Sequence, residues 1–127
     1  MTLADALVYV IDDDISMRKA IGRLLESQDY SVEMFKSARE FLARAAHTGP
    51  SCIILDLNMP ELSGLELQQA LAGSGRAEPL IFITGDTTVQ TMKAGAVDYL
   101  TKPFPAGALF RAVDRALARS FDATKVQ

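Results

Sequence analysis

Short apolar runs and helical stripes alternate five times along this chain, and that alternation limits the fold more than any other feature. Leu7 to Ile11 is an apolar run closed by Asp12-Asp13-Asp14. Met17, Ala20, Ile21, Leu24 and Leu25 then follow the i, i+3, i+4, i+7, i+8 spacing of a helix with one buried face. Tyr30 to Phe35 alternates as a strand at a sheet edge does. Ser37 is placed to cap a helix whose inner face is Ala38, Phe41, Leu42 and Ala45. Gly49-Pro50 breaks the chain before Ser51-Cys52-Ile53-Ile54-Leu55-Asp56, which has the composition of a strand buried on both faces. A third helix is predicted over Leu65 to Leu71, ending at Gly73-Ser74-Gly75. Leu80 to Ile83 is another apolar strand, closed by Thr84-Gly85-Asp86. Val89, Met92 and Ala96 form a short helical pattern with Gly95 as its C-cap, and Asp98 to Thr101 is the last strand, ended by Lys102-Pro103. Leu109, Ala112, Val113, Ala116 and Leu117 repeat the helical stripe, and the polar residues from Ser120 to Gln127 read as a frayed tail.

Strict alternation with apolar inner strands implies a parallel sheet covered by helices on both faces. Right-handed crossovers and a polar second strand at the edge select the order 2-1-3-4-5, the doubly wound flavodoxin-like arrangement. A chain of 127 residues, 49% of them apolar, is enough for one domain with a single core.

Charge and composition remove several function classes. A net charge of −3 supplies no basic stripe, so direct nucleic-acid contact is not expected. The one cysteine, Cys52, lies in an apolar strand, so it reads as a small core residue of a protein in a reducing compartment. No apolar run reaches the length of about 20 residues that spans a bilayer, and no export signal opens the chain. A cytoplasmic location, with no membrane contact, is the expectation. His47, the only histidine, falls in a loop and has no second histidine for a phosphorelay or a metal pair.

Asp56 carries the chemical interest. A charge at the tip of a core strand needs something there to offset its desolvation, although an Asp capping the next helix is the plainer reading. In the order 2-1-3-4-5 the first and third strands are neighbours, so Asp12, Asp13 and Asp56 converge at the carboxyl edge. Thr84 and Lys102 end the next two strands. Three carboxylates together repel one another, and a hard divalent cation such as Mg²⁺, which takes about six oxygens, relieves that repulsion. Asp13 and Asp56 are suited to ligate it directly, with the Asn58 backbone carbonyl as a third ligand. Asp12 is suited to hold a metal-bound water or the Lys102 ammonium. Asp56 is then a nucleophile toward a phosphoryl group, and Thr84 a hydroxyl donor to one of its oxygens. Singly, each piece has an ordinary explanation: a solvated acidic cap, a turn threonine, a lysine-proline strand stop. Asp14 reads as the cap of the first helix and Met17 as core packing.

The ordered set of DD, D, T and K at four strand ends resembles the receiver domain of two-component response regulators. The likeness runs through Val10-Ile11-Asp12-Asp13-Asp14, Asp56-Leu57-Asn58-Met59-Pro60 with Gly64, and Ile83-Thr84. It continues through Lys93-Ala94-Gly95-Ala96-Val97-Asp98-Tyr99-Leu100 and Thr101-Lys102-Pro103-Phe104. The wording is especially like that of receivers that precede a helix-turn-helix output domain in FixJ-like regulators. The resemblance implies that Asp56 accepts a phosphoryl group from a histidine kinase, that Asp12 and Asp13 build the Mg²⁺ site, and that Lys102 contacts the phosphoryl group. It implies that Thr84 and Tyr99 form a switch pair, that residues 1–120 are the receiver, and that 121–127 are a tail or the start of a linker. Such a domain signals, assisting its own phosphorylation and dephosphorylation. It can serve an output domain on a longer chain or a phosphorylation-dependent homodimer. This chain departs from the family pattern after Gly85, where about four residues, one helical turn, are missing before the fourth helix. Asp86 is placed to cap that shortened helix.

Two other readings remain open from the residues. Asp12-x-Asp14-x-Ser16 has the form of the nucleophile motif in haloacid-dehalogenase-like phosphatases, with Thr84 and Lys102 as its further members. That reading leaves Asp56 unexplained, and it has only Asp114 and Asp122 for a late acidic motif. The short segment before Lys102 suggests instead a receiver-shaped interaction module that does not switch.

Overall fold

An apolar pentapeptide cannot leave either face in water, and Leu7–Ile11 forms a strand, β1, buried along its whole length. The computed structural model describes residues 6–44, 49–56, 78–84, 96–101 and 104–125. With β1 run β2 (Ser31–Phe35), β3 (Ser51–Asp56), β4 (Leu80–Thr84) and β5 (Ala96–Thr101), all parallel, in the order β2-β1-β3-β4-β5. The described helices are α1 (Ile15–Glu26), α2 (Ala38–Ala43) and the C-terminal α3 (Ala106–Lys125). This is the doubly wound arrangement that the alternation implies. The third helix expected over Leu65 to Leu71, the shortened segment before the fourth helix, Asp86 and His47 lie outside the described residues.

The two-residue period of each strand sorts the core into two layers. Val8, Val10, Cys52, Ile54, Ile81 and Ile83 face α1 and α3, meeting Ile21, Leu25, Leu109, Val113 and Leu117. Leu7, Tyr9, Ile11, Ile53, Leu55 and Phe82 face the other way, with Phe41 of α2. Phe41 is fully buried, edge-on to Tyr9 at 4.9 Å and to Phe35 at 5.6 Å between ring centroids. Ser37 caps α2 as expected, its hydroxyl accepting from the Glu40 N–H. The edge strand β2 is tied to the end of α2 by a two-pronged pair. Arg44 Nε donates to Glu33 Oε1 at 2.5 Å and Nη2 to Oε2 at 2.7 Å, with the guanidinium 5.3 Å from the centre of the Tyr9 ring.

Three sequence expectations are corrected. Tyr30 is not the first residue of β2 but the corner before it. Asp29 adopts φ 66°, the Asp29 N–H reaches the Glu26 carbonyl and the Tyr30 N–H the Leu25 carbonyl, which closes α1 in a Schellman turn. Ala96 belongs to β5, not to a preceding helix, because it pairs with Leu80 across a register shift in the ladder. Residues 120–125 continue α3 rather than fraying, since nothing after Gly107 in the sequence is a glycine or proline to stop the helix.

The Schellman corner turns the Tyr30 ring into the core, where its hydroxyl donates to the Asp114 carboxylate on α3. Burial first, then that hydrogen bond and the Asp114 charge, hold the phenol well above its ordinary value of 10.0. The neutral form is therefore the one the fold favours, and its contribution is complete below the ordinary tyrosine value and lost as pH climbs past it. Tyr30→Phe should cost about 1–2 kcal/mol at neutral pH. It should also remove part of the destabilisation expected from about pH 10 upward, as measured by urea unfolding across an alkaline series.

Candidate functional site

Ile11 of β1 lies opposite Leu55 of β3, so Asp12 and Asp56 follow at one level on adjoining strands. The alternation that turns Val10 and Ile54 toward α1 and α3 brings both acids to the same side of the sheet. Carboxylate oxygens of Asp12, Asp13 and Asp56 all lie within 4.8 Å of one another. Asp12 is 1% and Asp56 5% exposed, while Asp13 is open to water.

The loop after β1 is built from short hydrogen bonds. The Asp12 N–H donates to the Phe35 carbonyl at 3.1 Å, and Asp12 Oδ1 accepts from the Asp14 N–H at 2.9 Å. Asp14 is the N-cap of α1, with Oδ1 accepting from the N–H groups of Ser16 at 2.9 Å and Met17 at 3.4 Å. That engagement takes Asp14 out of the pocket, which weakens the phosphatase motif and agrees with its reading as a cap. Met17 packs against the core. Arg18, one turn further on, donates from Nη1 to the Asp12 carbonyl at 2.7 Å. Nothing in the sequence singles out Arg18, because one arginine on the polar side of a helical stripe carries no signal of its own.

On the other side of Asp56 the ladder pairs it with Ile83, and the next residue, Thr84, pairs with Thr101. The Thr84 backbone thus stands one position beyond the acid at the same edge. Tyr99 is opposite Phe82, two positions back from that edge on β5. The side chains of Thr84 and Tyr99, and the whole of Asn58 and Lys102, lie outside the described part of the molecule.

The donor set fits a hard cation. Every ligand is a carboxylate oxygen, and metal–oxygen bonds of about 2.0–2.1 Å place ligand oxygens roughly 2.9 Å apart when adjacent and 4.2 Å apart when opposed. A cluster spanning 4.8 Å reaches that geometry with small side-chain adjustments. Exposure of Asp13 leaves room for the waters that Mg²⁺ keeps. Without a cation the three charges repel. Asp13→Asn should raise the metal-free melting midpoint, by about 1 kcal/mol of stability, and reduce the further rise that millimolar Mg²⁺ gives the wild type, as read by calorimetry.

No helix among the described residues is long and apolar enough to cross a membrane. Comparison with known proteins finds the response regulator receiver domain over residues 8–114. Nodulation protein W of Bradyrhizobium diazoefficiens is 45% identical over 118 residues, 90% of this chain and 52% of that protein. The chain spans about half the length of the curated relatives it matches. Among solved structures, the response regulator StyR superposes with a TM-score of 0.87 at 36% identity, covering 96% of this chain and 64% of that one. FixJ-N superposes with a TM-score of 0.81 at 36% identity, covering 93% and 96%.

Proposed function

This chain belongs to the response regulator receiver domain family, and on that premise we propose that Asp56 is its phosphoacceptor. Receivers are the phosphoacceptor domains of two-component signalling, signalling devices rather than enzymes in the ordinary sense. The observation that carries the assignment is the meeting of Asp12, Asp13 and Asp56 within 4.8 Å at the carboxyl edge of the sheet.

In the reaction, a carboxylate oxygen of Asp56 bonds to phosphorus as the bond from phosphorus to the kinase's histidine nitrogen breaks. That nitrogen is left with its lone pair and takes up a proton. Water later attacks the acyl phosphate, restoring the carboxylate and releasing inorganic phosphate. Asp12, Asp13 and Asp56, with the Asn58 backbone carbonyl, would hold Mg²⁺, which would supply positive charge to offset the negative charge developing on the transferring phosphoryl group. Lys102 would add positive charge to the phosphoryl group, and Thr84 would offer it a hydroxyl hydrogen bond. The domain thereby assists its own phosphorylation and dephosphorylation.

Phosphorylation adds one to two negative charges, and a bias of a few kcal/mol between two conformations is enough to alter a partner surface. Thr84 and Tyr99 are the residues through which that bias passes. The partners are a histidine kinase and, in a longer regulator, an output domain acting on transcription, or a second copy of this chain in a phosphorylation-dependent dimer. Residues 1–120 would make up the receiver, and 121–127, which begin within the last turns of α3, a C-terminal tail or the start of a linker.

The test is acyl-phosphate mapping. After reaction with acetyl phosphate and Mg²⁺, borohydride reduction followed by peptide mass spectrometry should mark Asp56. Label that persists in Asp56→Asn and disappears in Asp12→Asn would instead support the phosphatase reading. A second reading rests on the short stretch, residues 85–95, between β4 and β5: the domain binds partners without switching. It stands if beryllofluoride with Mg²⁺ loads the site yet leaves self-association and partner binding unchanged.

A further inference from the structure

Asp13 is the exposed member of the acidic trio, and among the described residues its carboxylate makes no hydrogen bond or ion pair. With no such partner to hold the carboxylate, the placement of the Asp13 backbone sets which of its rotamers reach the pocket. The peptide after it is anchored by the Asp14 N–H, bonded to Asp12 Oδ1 at 2.9 Å. The peptide before it is anchored at the Asp12 carbonyl by Arg18 Nη1 at 2.7 Å.

The geometry of β1 explains why an arginine is needed. In a parallel ladder the N–H and C=O of one residue point to the same neighbouring strand. The Asp12 N–H points to β2, where it reaches the carbonyl of Phe35, and β2 ends at that residue. The Asp12 carbonyl thus faces past the end of the ladder. Helical side chains lean back toward the helix N-terminus, so Arg18 on α1 reaches this carbonyl and takes the place of the next strand donor. It acts from the β2 side of β1, opposite to β3 and Asp56. Among the described residues it forms no ion pair, so it fixes a peptide and does not neutralise a carboxylate.

We propose that Arg18 is a positioning residue of the cation site, holding the peptide between Asp12 and Asp13 so that the Asp13 carboxylate is aimed into the pocket. The inference rests on the reading of the pocket as a Mg²⁺ site. Two effects of removing Arg18 oppose one another. Loss of a cation near an acidic pocket favours Mg²⁺, but for a half-exposed group at physiological salt that gain is at most about threefold. Loss of a group that orients a ligand typically weakens metal binding by about 10–100-fold. The positioning effect should win.

The experiment titrates Mg²⁺ by calorimetry, and Mn²⁺ by electron paramagnetic resonance, into the wild type, Arg18→Met, Arg18→Lys and Asp13→Asn. Urea unfolding in EDTA checks that each variant is folded. Arg18→Met should bind about tenfold more weakly, at low and at high salt alike. Arg18→Lys, which keeps one donor and the charge, should stay within about threefold of the wild type. In metal-free protein, exchange of the Asp14 amide should be faster in Arg18→Met by about tenfold. Should Arg18→Met fail to fold, Arg18→Gln, too short to span the same distance, is expected to give the same weakening. Equal or tighter Mg²⁺ binding by the folded variant, beside a weakened Asp13→Asn, overturns the role of Arg18 and leaves the pocket standing. Absence of Mg²⁺ binding in the wild type overturns both.

Discussion

Asp56→Asn is expected to lose acyl-phosphate formation by about a thousandfold or more, equivalent to roughly 4 kcal/mol in the barrier. An amide oxygen has nearly the size of a carboxylate oxygen but lacks its charge, so it is a poor nucleophile toward phosphorus. The fold should survive. Asp56 is 5% exposed in a cluster of like charges, and replacing it with a neutral isostere relieves repulsion instead of opening a cavity. The decisive measurement pairs labelling by acetyl phosphate or a phosphorylated histidine kinase with a thermal melt of the same sample. Retained stability with lost label places the chemistry at Asp56. Labelling at the wild-type rate would move the nucleophile elsewhere.

Phe41→Ala is expected to have the largest effect on stability, about 3–5 kcal/mol. The ring is fully buried and lies edge-on to both Tyr9 and Phe35. Its helix, α2, has only six residues, too few to hold together without the contact. A domain of this size is commonly stable by about 5–15 kcal/mol, so the loss is a large share of the whole. Phe41→Leu, which keeps most of the volume, should cost clearly less, about 1–2 kcal/mol. Urea titrations of the two variants, compared at equal slope, measure the difference. A loss under 1 kcal/mol for the alanine variant would mean that the aromatic cluster is not what seats α2.

The fold was legible where burial is two-sided. β1, β3 and β4 announce themselves as apolar runs because both of their faces are covered. Boundaries set by tertiary pairing were not legible. Ala96 fits a helical stripe and a strand equally well until Leu80 claims it. The end of α3 is hidden in the sequence because polar composition suggests a tail, whereas propensity alone lets the helix run on. Of the site, Asp12, Asp13 and Asp56 could be assembled from strand order alone, since a parallel sheet gathers its carboxyl ends at one edge. Arg18 could not, for its role depends on which way one carbonyl faces at the end of a strand. The Tyr30–Asp114 bond was equally hidden, joining residues far apart in sequence with no pattern between them.

Cys52 is the second residue of β3, the central strand of the sheet, with no solvent contact and its thiol pushed well up by burial. A thiolate forms there only when the central strand parts from its neighbours. The chain therefore carries its own gauge of breathing. The pace at which a colorimetric disulfide reagent captures this sulfur reports openings of the sheet, with no label introduced into the chain.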